Sequence, residues 1–324
     1  MSLALWLALA CTAPADPPVP DACDVEPTGQ VHLPADEALH TEPVEWWYWT
    51  GHLQDEQQRW YGFEQTFFVV QTGLVDNTIS HTALLDVAAD TFQADERVAG
   101  VPASMPANAF ALEVDGDTAN GSGGEDHLVG RAGDTSWTLD LSAQKPAVFQ
   151  HGDGYHDYDV GGYTWYYSRE RMAVTGSVTI GGEARTVTGS AWMDHQWGHL
   201  VQATQSGWDW FALQLDDDRE IMLFLARGGG EVVGGSISGA DCVSEELAAD
   251  EIHMVALGEW TSPVTDCVYP QGWELTVRGE TFTVTPVRQD QEVVNDLKTY
   301  WEGASLVSGA ATGRAYVELA GYCN

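Results

Sequence analysis

The chain has 324 residues, 44% hydrophobic and 10% aromatic, enough to bury one large core or two of ordinary size. Acidic residues outnumber basic ones 49 to 13, with Lys145 and Lys298 the only lysines, for a net charge of −36. Such a surface repels nucleic acid and anionic membranes, so neither is expected as a partner.

The chain starts "MSLALWLALACTAPADPPVPDAC". Residues 1–11 read as an export signal with a lipobox-like end, which makes Cys11 the candidate lipidation site. Residues 12–27, rich in Pro and Asp, read as a tether. The apolar run is too short to span a bilayer, so membrane association is expected only through a lipid on Cys11. The expected location is periplasmic or at the cell surface, otherwise secreted.

Beyond the tether, Val, Thr, Trp, Tyr and Phe alternate with polar residues between Gly, Asp and Asn turns, which predicts an all-β fold. Helices are predicted only as short pieces around Ser244 to Asp250 and Asp290 to Lys298. In "EWWYWTGHLQD", residues 45–55, alternation puts Glu45, Trp47 and Trp49 on one face and Trp46, Tyr48 and His52 on the other. One face should pack; the other should look into a cavity or onto a partner barrel. Similar aromatic-strand, acidic-turn, apolar-strand units recur in "EWWYWTGHLQDEQQRWYGFEQTFF" and "WDWFALQLDDDREIMLFLA", suggesting two related units over residues 28–160 and 161–324. Sheets of this size close into barrels or sandwiches to remove their edges, and small barrels can hold one apolar ligand.

"HGDGYHDYD", residues 151–159, reads as a polar link between the halves. The clearest hairpin is "RMAVTGSVTIGGEARTVTGSAWMD", residues 171–194, turning at Gly181-Gly182. At its end, "AWMDHQWGH" places Asp194, His195, Trp197 and His199 together. Strict alternation sends Asp194 and His195 to opposite faces unless the strand ends or bulges. A helical zinc pair of His195 and His199 is not expected, because Gln196 stands where a zinc protease has Glu and Gly198 disfavours a helix. No metal and no cofactor is expected. In "WDWFALQLDD", Asp209 is in phase with Phe211, Leu213 and Leu215, so its carboxylate points to the apolar side, where burial would raise its pKa and make it a general acid. No GxSxG elbow is present, which argues against a serine hydrolase of the α/β type.

Four cysteines remain beyond Cys11, without a CxxC pair, and predict disulfides. The favoured pairing is Cys242 with Cys267 and Cys23 with Cys323.

The motifs "EWWYWTGHL", "YGFEQTFF", "SHTALLD", "YYSRERMAVTGSVTIGG", "GSAWMDHQWG", "GWDWFALQLDDDREIMLF", "VYPQGWEL", "YWEGASLVSG" and "GRAYVELAGY" together resemble the bacterial AttH-like proteins, relatives of carotenoid 1,2-hydratase (hydroxyneurosporene synthase). The resemblance implies two lipocalin-like antiparallel β-barrels packed side by side. It also implies addition of water to an apolar, isoprenoid or lipid-like small molecule, or its hydrolysis, with a non-catalytic lipophile carrier as the alternative. The residues it points to are His195, Trp197 and Asp209, with Asp194 or His195 holding the water. The pocket is expected to be lined by Glu45, Trp47, Trp49, His81 and Tyr166 from the first half. The second half is expected to supply Trp208, Trp210, Tyr300 and Glu302.

Overall fold

The computed structural model describes residue 23 and residues 27–323, apart from 75, 103, 159–161, 200–205, 228–229 and 296–297. Cys11 lies outside the described residues. The first sheet starts with a four-stranded meander, β1 (Val44–Asp55), β2 (Trp60–Gln71), β3 (Asp76–Asp86) and β4 (Thr91–Gly100). A second meander follows, β5 (Phe110–Val114), β6 (Asp117–Ser122), β7 (Glu125–Ala132) and β8 (Thr135–Ala143). After the short β9 (Val148–Phe149) and β10 (Tyr155–Asp157) comes the long hairpin β11 (Tyr163–Ile180) and β12 (Glu183–His199). Gly181 and Gly182 turn that hairpin with φ of +58° and +83°, values a side chain with a Cβ rarely adopts.

The second sheet repeats the plan. β13 (Trp208–Leu215), β14 (Glu220–Arg227), β15 (Glu231–Ser238) and β16 (Ser244–Leu247) form its first meander. Then come β17 (Ile252–Ala256), a separate hairpin β18 (Glu259–Thr261) and β19 (Val268–Pro270), and β20 (Trp273–Val277) with β21 (Glu280–Pro286). β22 (Glu292–Val293), β23 (Tyr300–Gly309) and β24 (Gly313–Ala320) complete it. In each sheet the first strand pairs with the last, β1 with β12 and β13 with β24, so two antiparallel sheets curl into nearly closed barrels. This is the all-β, two-barrel architecture that the sequence pattern and the resemblance imply.

The division between units differs from the one expected at 160/161. The hairpin β11–β12 belongs to the first sheet, where it joins β1 to β8, so the sheets separate between His199 and Trp208. The reason is closure: a barrel needs its last hairpin beside its first strand. Residues 151–158, expected as a link, supply β10 and part of a cavity wall. Among the described residues the predicted helices are also absent: Ser244–Leu247 and Glu292–Val293 are strands, and a 3-10 turn, Ala249–Glu251, follows the former. Glu292 is held there by the hydroxyls of Thr265 (2.6 Å) and Tyr269 (2.9 Å).

Each barrel has its own core. Trp47, Trp49, Phe63, Phe67, Trp137 and Leu139 fill the first; Phe211, Leu213, Trp273, Phe282 and Trp301 fill the second. A third cluster, Tyr48, Tyr166, Trp192, Trp210, Met222 and Tyr316, lies between the barrels on their outer faces. Gly62 of β2 belongs to this contact: a Cβ there would stand 2.8 Å from that of Ala304, so only glycine lets the barrels approach so closely. Lys145 crosses to Glu220 (2.7 Å), and the same carboxylate also pairs with Arg171.

The disulfides are Cys23–Cys242 and Cys267–Cys323, each with Cα atoms 5.1 Å apart, which corrects both expected pairings. Cys267 follows the β18–β19 turn, against which the C-terminal segment lies, with Tyr269 and Tyr322 ring centroids 5.6 Å apart. Cys242, in the turn between β15 and β16, borders the N-terminal Pro27 and Thr28 in one groove. Two disulfides fit an oxidising compartment.

Candidate active site between the barrels

Cross-strand register explains how the site is made. On the outer face of the first barrel, Tyr48 of β1 lies opposite Thr66 of β2 and Asp194 of β12, and Asp194 lies opposite Ser168 of β11. One pair further along, Trp46 faces Phe68 and Gln196, and Gln196 faces Tyr166. On the second barrel the facing row is Phe224, Trp210, Glu318 and Glu302. These rows enclose a cavity of about 130 Å³, which Trp46, Tyr48, Phe68, Trp208, Trp210 and Phe224 line with aromatic surface. Asp194, Glu318, Tyr166 and Tyr300 supply its polar groups, with His151 and Tyr158 on the same wall.

The walls are tied across the gap. The Tyr48 hydroxyl donates to Glu302 (2.7 Å), the Trp210 indole N–H donates to the Tyr166 oxygen (3.2 Å), and His81 Nδ1 meets the Tyr300 hydroxyl (3.0 Å). His81 Nε2 also reaches Glu96 (3.0 Å), so a hydrogen-bonded path runs from Tyr300 at the cavity to a carboxylate near the surface.

Burial dominates the electrostatics. Asp194 accepts hydrogen bonds from Ser168 (2.5 Å), Tyr166 (2.7 Å) and the Trp192 indole (2.7 Å). Burial nonetheless raises its pKa to about 6, those three donors opposing. Burial lifts Glu318 to about 7; the Trp208 indole and the Lys298 charge oppose this, and the Asp194 charge adds to it. Behind the wall, burial carries Glu64 to about 8, with Thr66 donating to it, and holds Glu302 well above the usual range. Burial depresses His151 to about 3, leaving a neutral imidazole. Two carboxyl groups therefore share one aromatic cavity with pKa values near neutrality.

The expected site residues divide. Asp194, Tyr166, Trp208, Trp210 and Tyr300 face this cavity, whereas His81 and Glu302 stand one layer behind it, bonded to Tyr300 and Tyr48. Glu45, Trp47 and Trp49, expected in the pocket, are instead fully buried in the first barrel's interior. His195 and Trp197 point the same way: β12 runs through this stretch without a bulge, so His195 falls opposite Trp47 and Tyr167 on the inner face. There His195 Nε2 lies 2.7 Å from Glu45, and Trp197 stacks on His40.

Asp209 is in phase with Phe211 as alternation requires, but that phase looks into the second barrel. It pairs there with Arg227 (2.8 Å) and accepts from Tyr322 (2.8 Å), at the floor of a mouth of about 520 Å³ bordered by Met254, Leu257 and Val268. That opening is larger than the cavity between the barrels, but its polar groups satisfy one another, which leaves little acid–base capacity. Glu318, Tyr48 and Trp46 were not singled out for the site; the outer phase of "EWWYW" carried the signal for the last two. Glu318 had none, because "AYVELA" alternates like any half-buried strand.

Comparison with known proteins places this geometry in a family. An AttH protein of Nitrosomonas europaea is similar in structure, with TM-score 0.83 at 26% identity, covering 95% of this chain and 100% of that one. Kievitone hydratase from Nectria haematococca follows the same fold, with TM-score 0.75 at 19% identity over 90% of this chain and 95% of its own. CghA, solved with Sch210972, shares it at TM-score 0.57 and 12% identity over 93% of this chain and 96% of its own. No functionally curated protein matches the chain. The AttH-like family matches residues 24–322, and the chain belongs to that family.

Proposed function

We propose that the cavity between the barrels is the active site of a hydratase- or lyase-type enzyme for an apolar, unsaturated small molecule, of isoprenoid or similar character. The observation that carries the reading is the placement of Glu318 and Asp194, with pKa values of about 7 and about 6, on one aromatic-walled cavity. Asp194, which accepts three hydrogen bonds that favour its ionised form, suits the base, and Glu318 the acid. Glu318 gives its proton to one alkene carbon, and the positive charge that develops on the other meets the faces of Trp46, Trp208 and Trp210. A water held by Asp194 adds to that carbon and passes its proton to the Asp194 carboxylate. The reverse sequence expels water. Exchange through the cavity mouth restores both groups. Kievitone hydratase shares only the fold at its identity, so its name suggests the reaction class without fixing it.

A carrier that binds the same ligand without chemistry is the second reading, favoured by the three structural donors that already saturate much of Asp194. We further propose export, with a lipid on Cys11 as the only membrane attachment. The test is mass spectrometry of ligand co-purified with the protein, and of a panel of isoprenoid alkenes, after incubation in heavy-oxygen water. Label entering the product in the wild type but not in Glu318→Gln supports the enzyme; ligand released intact and unlabelled from both sinks it in favour of the carrier.

A further inference from the structure

A second group of chemically capable side chains lies inside the first barrel, away from the cavity. His40 comes from the segment preceding β1, Glu45 from the start of β1 and His195 from β12. His40 Nδ1 lies 2.9 Å and His195 Nε2 lies 2.7 Å from the same Glu45 oxygen. One nitrogen of each imidazole and one carboxylate oxygen all fall within 4.8 Å of one another. Tetrahedral ligands about 2.1 Å from a zinc ion stand about 3.4 Å apart, so each imidazole nitrogen need move only about 0.5–0.7 Å away from the Glu45 oxygen for an ion to enter.

Their surroundings are built for ligation. The second nitrogen of each ring faces an orienting group: His40 Nε2 is 3.7 Å from Asp36, and His195 Nδ1 is 3.4 Å from the Tyr167 hydroxyl. Outer partners of this kind fix the tautomer and aim of metal-binding imidazoles. Indoles hold the rings flat, Trp197 on His40 (centroids 4.1 Å apart) and Trp47 on His195 (4.3 Å). Glu45 Oε2 accepts the His40 backbone N–H (2.8 Å), which fixes the carboxylate.

Charge points the same way. Among the described residues, the ion-pair partners of fully buried Glu45 are these two histidines, with no Lys or Arg. A buried carboxylate between two imidazoles is the donor set of a divalent transition ion.

We propose that His40, Glu45 and His195 bind one divalent transition ion, zinc foremost, which fastens the segment before β1 to the end of the first barrel. The half-buried His40, with 21% of its side chain exposed, is the way in. The site is separate from the cavity between the barrels and does not depend on the function proposed for it.

The full chain, stripped with chelator and desalted, is titrated with Zn²⁺ by calorimetry and, after dialysis, assayed for metal by mass spectrometry; Co²⁺ supplies an absorption spectrum. The expected result is one ion per chain, visible Co²⁺ bands and a higher melting temperature with metal. His40→Ala, chosen because His40 is not part of either sheet, should lower affinity by at least about 100-fold while circular dichroism stays unchanged, and Asp36→Asn by about 10-fold. His127→Ala, at an exposed His–Asp pair of the same barrel, should bind as the wild type does. Failure of the wild type to take up stoichiometric ion, or undiminished binding in both His40→Ala and His195→Gln, would overturn the proposal.

Discussion

Asp194 and His195 are adjacent on β12 and look in opposite directions, Asp194 towards Tyr166 in the cavity between the barrels and His195 towards Glu45 inside the first one. The pair therefore cannot act on one substrate. Turnover, in the heavy-oxygen assay, should fall by about 10²- to 10⁴-fold in Asp194→Asn and in Glu318→Gln. Asp209→Asn, which disturbs the Arg227 pair and the Tyr322 hydrogen bond in the second barrel, should keep near wild-type turnover. Loss of activity in Asp209→Asn with retained activity in Glu318→Gln would move the chemistry to the second barrel's mouth.

Stability should fall with rising pH above neutrality. Burial raises Glu64 and Glu170 to about 8 and Asp126 and Glu318 to about 7, so the folded chain holds protons that the unfolded chain has already lost above about pH 4.5. Stability from these groups is complete below their unfolded pKa and is lost as pH rises through the folded values. His52 and His151, both depressed to about 3, act oppositely, since the unfolded chain binds their protons below about 6.5. The two histidines offset only part of the effect of the four acids between about pH 4.5 and 6.5, and none of it above. Melting temperature measured across this range should decline from about pH 6.5 to 8.5. Glu64→Gln should flatten that decline, and an unchanged slope would contradict the buried-acid account.

Tyr48 spans the barrels through one hydrogen bond to Glu302, whose other oxygen has no partner among the described residues. Tyr48→Phe should cost about 1–3 kcal/mol, because it strands a fully buried carboxyl group. Tyr48→Phe combined with Glu302→Leu should recover much of that loss, since replacing both partners by apolar groups leaves nothing unsatisfied. Urea midpoints of the two singles and the double test this; additive losses would mean the bond is not the reason for the cost.

Period-2 patterning made the all-β class, the repeated unit and the Gly181-Gly182 turn legible, because alternation and turn chemistry are local. It also separated Trp46 and Tyr48 from Trp47 and Trp49. What alternation cannot say is which side of a sheet is inside when both faces are buried. Here the outer face of one barrel packs on another, so Glu45, Trp47 and Trp49 looked as eligible for a pocket as Trp46 and Tyr48. The same ambiguity put Asp209 in the right phase and the wrong compartment. Glu318 and His40 were silent because each becomes chemical only through partners distant in sequence, Trp208 and Asp194 for one and His195 for the other.

Cysteine pairing tests the docking of the two barrels. Cys23–Cys242 joins residues 219 apart and ties the segment ahead of the first barrel to a turn of the second, whereas Cys267–Cys323 joins residues 56 apart within the second. Peptide mapping without reductant should recover those two linkages and neither Cys242–Cys267 nor Cys23–Cys323. Each closed loop is long, so each bond should contribute about 2–5 kcal/mol. The two should nonetheless differ in kind. Cys267→Ser with Cys323→Ser loosens a hairpin and tail within one barrel and should lower the unfolding midpoint while leaving ligand in the cavity. Cys23→Ser with Cys242→Ser removes the covalent link between the segment ahead of the first barrel and the second barrel, which Lys145 and Arg171 already bridge to through Glu220. If those ion pairs and the aromatic contacts between Tyr48, Tyr166 and Trp210 suffice to dock the barrels, this variant melts earlier in one cooperative step; two separate transitions would show that the covalent strap holds them together.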